Sequence, residues 1–232
     1  MSAPEPTTTI SKTEAVAVPS AAGKPGPNCP RCPRLVAFRQ QCREREPAWF
    51  NAPVPSFGSV DSRALIVGLA PGLQGANRTG RPFTGDWAGD LLYATLAEFG
   101  FSRGDYDERP DDGLTLVDCR ITNAVRCVPP ENKPTAAEIN TCRDFLKPTI
   151  AEMPKLRALI ALGRVAHDST VTALGEKKSA HVFKHGGSHQ IGRLTLFSSY
   201  HCSRYNTNTC VLTPKMFRAV FKGVRAYLDG AG

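Results

Sequence analysis

The sequence predicts an α/β protein with a single domain, whose central, mostly parallel four-stranded sheet is flanked by helices. Three short apolar runs, at residues 64–69, 156–163 and 192–200, have the length and residue types of buried strands. Segments with helical spacing of apolar residues separate these runs. Strands that alternate with helices of about 12 residues indicate βαβ units and a parallel sheet. The 232 residues are enough for one domain of ordinary size.

The chain is predicted to begin with a disordered tail at residues 1–27, and the domain is predicted to occupy residues 28–232. Pro, Ala, Ser and Thr dominate the tail, and such a composition buries too little apolar surface to fold. We expect no secretion signal there, because no apolar core follows a charged segment. No apolar run reaches the roughly 20 residues of a membrane helix. We therefore expect a cytoplasmic protein that is not secreted and spans no membrane.

The first half of the domain contains two predicted helices and two predicted β segments. An Arg-rich amphipathic helix is expected after the two cysteines at the start of the domain, Cys29 and Cys32. Residues 63–69 form the first predicted strand. Apolar residues recur at helical spacing over residues 86–100, and a glycine ends that helix. Residues 115–125 are rich in residues that favour strands.

The second half continues the same alternation. A capping-box pattern at Thr135 and Glu138 predicts the start of a helix, and Pro148 is expected to end or bend it. The next predicted strand, at residues 156–163, runs into another helix. After the last predicted strand at residues 192–200, residues 213–228 are predicted to form a helix with a proline in its first turn.

The formal net charge of the chain is +8. Residues 1–27 contribute nothing to it, since their two lysines balance their two glutamates, so the domain carries the whole excess. A basic domain favours a polyanionic partner such as nucleic acid, although charge also serves solubility. Both interpretations stay open on charge alone.

Ligands of parallel sheets bind beyond the carboxyl ends of the strands. The segments to inspect therefore follow Leu69, surround Asn123, and follow Gly163 and Tyr200. The first, PGLQGANRTGRPFTGDWAG, is rich in glycine, which lets a ligand approach the backbone closely. Its glycines have the wrong offsets for a dinucleotide fingerprint, and no Gly-Lys-Ser/Thr follows. Nucleoside triphosphate chemistry is not expected.

The eight cysteines require metal binding, catalysis or burial as an explanation, because disulfides are not expected in a protein that is not exported. Cys29 and Cys32 form a C-x-x-C pair, and Cys127 and Cys142 lie in two later segments. Four thiolates from three segments suit an iron–sulfur cluster, and their spacing equally allows tetrahedral zinc. The other four cysteines are predicted to be unligated; they are Cys42, Cys119, Cys202 and Cys210.

Three motifs give the chain a specific resemblance. They read GLAPG…GANRTGRPFTGD, ITNAVRC.PPENKP and H.S..NT.T, where the last begins at His201. In this order they resemble the uracil-DNA glycosylase superfamily, and most closely its family 5 (B type), whose members carry an iron–sulfur cluster. The resemblance runs from Cys29 to about Leu228.

This resemblance implies a monomeric, monofunctional DNA glycosylase of base excision repair, associated with the nucleoid. It would flip uracil, and other deaminated bases such as hypoxanthine, out of DNA, hydrolyse the N-glycosidic bond and leave an abasic site. The resemblance implies that Phe83 stacks on the base and that His201 stabilises the departing uracilate; Asn123 has the groups to read the Watson–Crick edge. Gly68 and Gly72 are expected to let the main chain approach the base and the deoxyribose.

Asp86 is the candidate for orienting water or stabilising the oxocarbenium ion, because the first motif reads GLAPG where other superfamily members have a polar residue. The same aspartate also suits the N-cap of the following helix, and the two roles are compatible. Cys202 stands where the family has proline. The resemblance implies DNA contacts from the loop after it, by Ser203, Arg204, Tyr205 and Asn206.

The resemblance also implies a [4Fe–4S] cluster on Cys29, Cys32, Cys127 and Cys142, with a structural role. No lysine stands in the motifs to form a Schiff base, so strand cleavage is not expected. The alternative is a catalytically inactive nucleic-acid-binding module that a cluster or zinc stabilises. A third hypothesis is a related protein that binds its product tightly or covalently and does not release it.

Overall fold

The apolar runs form the core of a five-stranded sheet in the computed structural model, which describes residues 23–230. From one edge to the other, the strands are β4 (Cys119–Asn123), β1 (Ala64–Gly68), β5 (Ala158–Leu162), β7 (Leu194–Ser199) and β6 (Ser188–Ile191). The first four run parallel to one another, as the sequence predicts. A further hairpin lies outside the main sheet and pairs β2 (Ser102–Arg103) with β3 (Thr115–Leu116).

The prediction of four strands is wrong by one, since β6 (Ser188–Ile191) pairs antiparallel with β7 at the edge of the sheet. Three of its four residues are not buried. An edge strand with one solvated side needs no apolar run, so the sequence gives no signal that distinguishes it from the basic, Gly-rich loop in which it lies.

The described residues 23–230 form seven α-helices, together with a 3₁₀ turn at Pro130–Asn132 that precedes the fourth of them. They are α1 (Pro33–Arg45), α2 (Ala76–Thr79), α3 (Trp87–Glu98), α4 (Ala136–Ala151), α5 (Arg164–Ala173), α6 (Arg204–Asn208) and α7 (Pro214–Gly230). The predicted capping box is present: the Thr135 hydroxyl accepts from the Glu138 amide, and the Glu138 carboxylate accepts from the Thr135 amide. α4 continues past Pro148 to its end at Ala151.

The four parallel strands are largely buried on both faces, and each face packs against its own pair of helices. On one face Ala64 and Ile66 of β1 pack with apolar residues of α3 and α7; on the other, Leu65 and Val67 pack with those of α4 and α5. This alternation within one strand is the period-two geometry of a strand. It explains why β1 reads as a continuous apolar run.

The predicted tail lies mostly outside the described residues, which begin at Gly23. Its last part, residues 23–27, contacts the domain: the Arg43 guanidinium donates to the carbonyl of Pro27 at 3.0 Å and to Asn28 Oδ1 at 2.9 Å. Within residues 23–230 the structure contains no helix that is long and apolar enough to cross a membrane.

The carboxyl ends of the parallel strands meet at one edge of the sheet. Gly68 at the end of β1 is in register with Asn123 at the end of β4. The Gly163 amide, just after β5, donates to the Ser199 carbonyl at the end of β7 at 2.8 Å. The loops that follow these strands are thereby brought to one place, where the sequence predicts the ligand.

Candidate active site

A cavity of about 700 Å³ opens beyond these strand ends. This volume lies within the range of roughly 300–1,000 Å³ that small-molecule sites have. Most of the residues predicted for the site line it; they are Gly72, Phe83, Asp86, Asn123, His201, Ser203, Arg204 and Tyr205. Gly68 and Asn206, which are also predicted for the site, are absent from its wall.

Two aromatic rings lie against each other at the base of the cavity. The centroids of Phe83 and His201 are 5.9 Å apart, and the ring planes differ by 27°. Phe83 has a positive φ of 54°, a conformation that costs a bulky residue free energy and often occurs at functional sites. Tyrosine hydroxyls hold this turn, since Tyr106 donates to the Phe83 carbonyl at 3.2 Å and Tyr93 to the Pro82 carbonyl at 2.6 Å.

Asn123 presents an unpaired acceptor beside these rings. Its side-chain Oδ1 is buried and has no hydrogen-bond partner among the described residues. Buried polar atoms are nearly always paired in native proteins. An orphan acceptor on a cavity wall therefore indicates that a ligand donor belongs there.

Gly68 makes room for this arrangement. A Cβ atom at Gly68 would overlap Asn123 Oδ1 and would lie 2.6 Å from the Phe83 ring. The glycine thus lets the amide and the aromatic ring approach the end of β1. That Gly68 also offers its backbone to the base stays a prediction.

The Asp86 carboxylate explains two further glycines of this loop, Gly72 and Gly75. A Cβ atom at Gly72 would lie 2.9 Å from Asp86 Oδ2, and one at Gly75 would overlap it. The other oxygen, Oδ1, accepts from the Gly89 amide at 3.2 Å and caps α3. Asp86 is therefore both a helix cap and a cavity residue. Burial raises its pKa, and the hydrogen bonds from the Gly89 and Ala88 amides oppose that shift.

His201 lies on the cavity wall as a neutral imidazole at pH 7. Burial lowers its pKa to about 4, because removal from water disfavours the charged form. The backbone around the ring is held from both sides. The Asn206 side chain donates to the His201 carbonyl at 2.8 Å, and the Tyr200 amide donates to His185 Nδ1 at 3.0 Å.

Cys202, the residue that follows His201, is fully buried and restrains the loop through a hydrogen bond. Its thiol donates to the Ala88 carbonyl in the first turn of α3, with a sulfur–oxygen distance of 3.5 Å. The side chain of Asn206 donates to the His201 carbonyl, and Asn206 lies off the cavity wall; its contact with DNA stays a prediction. Ser203 caps α6 by accepting from the Asn206 amide at 3.4 Å.

The cavity-wall residues that sequence reasoning missed include Leu73, Trp87 and Asn132. All three lie inside the motifs that carry the resemblance, or directly after one of them. That proximity was a signal for them. Their side-chain directions depend on loop conformation, including a positive φ of 57° at Asn132, and spacing does not reveal those directions.

The four cysteines predicted as ligands line a second, smaller cavity of about 20 Å³. The Arg39 guanidinium lies 3.6 Å from Cys127 Sγ, and the Arg126 amide donates to Cys142 Sγ at 3.3 Å. Burial raises the pKa of Cys127 to about 11 and that of Cys142 to about 12. Within residues 23–230, no three His, Cys, Asp or Glu side chains are grouped so that they could hold a single metal ion.

The other four cysteines differ in their exposure. Cys42, Cys119 and Cys202 are buried, and Cys210 is exposed.

The fold and the main cavity define an α/β protein with a ligand-sized cavity at the carboxyl edge of its sheet. The family model described as the uracil DNA glycosylase superfamily matches residues 55–225. The chain therefore belongs to the uracil DNA glycosylase superfamily.

Curated relatives cover most of the chain. A type-5 uracil-DNA glycosylase of Thermus thermophilus is 45% identical over 199 residues, which are 83% of this chain and 90% of the relative. A type-5 enzyme of Pyrobaculum aerophilum is 38% identical over 86% of this chain and 88% of the relative. A type-4 uracil-DNA glycosylase of the same organism is 31% identical over 88% and 90%.

Proposed function

We propose that this chain is a monofunctional uracil-DNA glycosylase of DNA repair. It binds a uracil that has left the DNA helix and hydrolyses its N-glycosidic bond, so that an abasic site remains. The observation that carries the proposal is the orphan acceptor of Asn123 beside the Phe83 and His201 rings. The relatives named as uracil-DNA glycosylases support it.

The cavity suits uracil through stacking and through one edge of the ring. Phe83 offers its ring to the flat base, and Asn123 Oδ1 accepts the N3–H of uracil. Cytosine has no hydrogen at N3, so the same acceptor would stay unpaired beside it. A buried unpaired polar group costs about 1–3 kcal/mol. Hypoxanthine also carries a ring N–H and a carbonyl, so we extend the proposed substrates to this deaminated purine.

Hydrolysis breaks the bond between N1 of uracil and C1′ of the sugar, and the electron pair leaves with the base. His201, as a neutral imidazole, donates its N–H to the O2 on which this charge accumulates. Asp86 orients the water whose oxygen bonds to C1′ and stabilises the positive charge of the sugar. One proton of that water passes to the carboxylate, and the abasic sugar keeps the hydroxyl.

The chemistry ends with the abasic site. Lys side chains are absent from the cavity wall formed by the described residues, and a β-elimination that cuts the strand needs an amine to form a Schiff base.

A single-turnover assay tests the proposed function. Enzyme in excess is mixed with duplexes that differ in one base: uracil, hypoxanthine, cytosine or thymine. Release of free uracil, together with an alkali-labile site and an intact strand before alkali, is the expected result. Binding of the uracil duplex without any release of base would instead establish the inactive nucleic-acid-binding module.

We further propose that Cys29, Cys32, Cys127 and Cys142 hold a [4Fe–4S] cluster. All four line one cavity, and Arg39 next to Cys127 supplies positive charge where ligating thiolates carry negative charge. A four-iron core is larger than one ion, so its ligands surround a wider space than a zinc site does. Bound there, the cluster would link the start of α1 to α4.

Asn123→Asp is expected to slow uracil release about 5–150-fold, since a carboxylate changes the pairing edge and about 1–3 kcal/mol of recognition is lost. Slow release of cytosine is expected to appear, because a protonated carboxyl can donate to its N3. Single-turnover rates on the uracil and cytosine duplexes measure both. Asn132→Asp is the matched control on the same cavity wall. Equal losses in the two variants would contradict base reading by Asn123.

Asp86→Asn is expected to lower the single-turnover rate while leaving the melting temperature unchanged or raised. Asparagine caps a helix as well as aspartate does. The raised pKa of Asp86 means that burial makes its carboxylate less favourable in the folded state than in the unfolded state. The neutral amide of asparagine does not have this cost. In the wild type the rate should fall as pH drops through this raised pKa, where the carboxylate becomes protonated.

The control for this variant is Asp90→Asn, which lies in the first turn of α3 but off the cavity wall. A wild-type rate for Asp86→Asn would leave Asp86 as a helix cap alone. A large drop in melting temperature would show that the carboxylate is needed for folding.

A further inference from the structure

Large apolar side chains are exposed around the mouth of the active-site cavity. Of the seven that are exposed among the described residues, three line this cavity: Leu73, Trp87 and Tyr205. Trp87 is 49% exposed. Exposed apolar groups gathered at one site mark an interaction surface, whereas scattered ones need no explanation.

Trp87 is the member of this group that the protein holds in a fixed orientation. Its indole Nε1 donates to Thr207 Oγ1 at 2.9 Å, across the cavity wall from α3 to α6. The guanidinium carbon of Arg204 lies 5.5 Å from the centre of the ring, within the distance of a cation–π contact. The polar edge of the indole is therefore satisfied, and a cation lies against the ring.

The position of Trp87 relates it to both halves of the site. It directly follows Asp86, and its hydrogen-bond partner lies on the short helix that begins three residues after His201. A nucleotide whose base occupies the cavity keeps its neighbours at the mouth, since the backbone is continuous. The exposed indole faces DNA in that arrangement.

An indole next to a guanidinium matches the chemistry of an unpaired nucleobase next to a phosphate. Bases stack on aromatic side chains whatever their sequence, and arginine adds attraction for the backbone. We propose that Trp87, held by Thr207 and Arg204, stacks on a nucleobase adjacent to the flipped nucleotide. This inference rests on the proposed function, and it adds a DNA-binding residue to that site.

Tryptophan fluorescence tests the contact directly, because the chain has two tryptophans, Trp49 and Trp87. Trp49→Phe leaves Trp87 as the only indole, and Trp87→Phe leaves Trp49 as the matched control, which lies off the cavity wall. Each protein is titrated with a duplex that contains a tetrahydrofuran abasic analogue. We expect the emission of Trp87 to be quenched and that of Trp49 to stay constant.

Affinity gives the second measurement. Trp87→Ala is expected to weaken the Kd for the same duplex about 5–150-fold, which is about 1–3 kcal/mol at 1.4 kcal/mol per tenfold. Trp87→Phe, which keeps a ring, should lose less. Thr207→Val removes the partner of the indole and should weaken binding although the ring remains. Far-ultraviolet circular dichroism checks that each variant folds. If Trp87→Ala does not fold, the fluorescence of Trp49→Phe and the affinity of Trp87→Phe decide whether Trp87 stacks on a nucleobase.

The outcomes separate this inference from the proposed function. Unchanged Trp87 emission in saturating duplex, or a wild-type Kd in Trp87→Ala, overturns the stacking contact even when the wild type releases uracil. Failure of the wild type to release uracil overturns the glycosylase, whatever Trp87 does.

Discussion

Replacement of His201 by alanine is expected to slow uracil release about 10²–10³-fold under single-turnover conditions, the usual effect of removing one preorganised donor to a developing oxyanion. The affinity for a duplex with an abasic analogue should change far less, because the donor acts on charge that develops in the transition state. Quenched-flow rates and fluorescence anisotropy measure the two quantities separately. A split of this kind distinguishes a catalytic role from a structural one.

The pH dependence follows from the low pKa of His201. With a folded-state pKa of about 4, the imidazole stays neutral down to mildly acidic pH. An unperturbed histidine has a pKa of about 6.5, so the unfolded state takes up this proton first as pH falls. The wild type therefore loses stability between about pH 6.5 and 4 through this residue. His201→Asn should remove that part of the acid sensitivity, as urea unfolding at several pH values would show.

His189→Asn serves as the control for both measurements, since His189 lies on β6 and off the cavity wall. A rate for His201→Ala within threefold of the wild type would contradict the proposed stabilisation of uracilate. An equal loss in His189→Asn would point to a general effect of losing a histidine.

The sequence predicts the parallel sheet because a strand that is buried on both faces needs apolar residues at nearly every position. β1 and β5 read as apolar runs for this reason. β6 has no such apolar run. It pairs with β7 through backbone groups, and its side chains lie mostly outside the core. Strand count at a sheet edge is thus a tertiary property.

The candidate site divides in the same way. The carboxyl ends of parallel strands converge, so the sequence predicts that Asn123, at the end of one strand, and His201, after another, lie at one site, and both line the cavity. The role of each residue depends on the direction of its side chain, and the spacing of residues along the sequence does not determine that direction. Gly68 makes room for Asn123, Asn206 holds the His201 backbone, and Trp87 lies across the cavity wall. Each of these needs the packed structure to be seen.

If the proposed cluster is present, the wild-type protein is brown and contains iron, and Cys142→Ser is expected to abolish this colour and most of the iron and to lower the melting temperature. Cys142 lies on α4, whereas Cys29 and Cys32 lie at the start of α1, so the cluster would join two segments far apart in sequence. Two ion pairs also connect these segments. Arg31 and Asp144 form an exposed pair at 3.0 Å, which contributes about 0–1 kcal/mol, and Arg34 binds the buried carboxylate of Glu138 through two of its nitrogens. Both pairs remain in the variant, so a lower melting temperature measures what the cluster adds to them.

The control is Cys210→Ser, since Cys210 is exposed and lies away from the four cysteines. Iron and zinc analysis of both variants and of the wild type separates the two metals, because a zinc protein is colourless and contains no iron. Full iron content in Cys142→Ser would remove this thiol from the proposed ligands. Retained melting temperature with lost iron would show instead that the start of α1 is held by its own packing, in which Leu35 meets Phe145 and Val125.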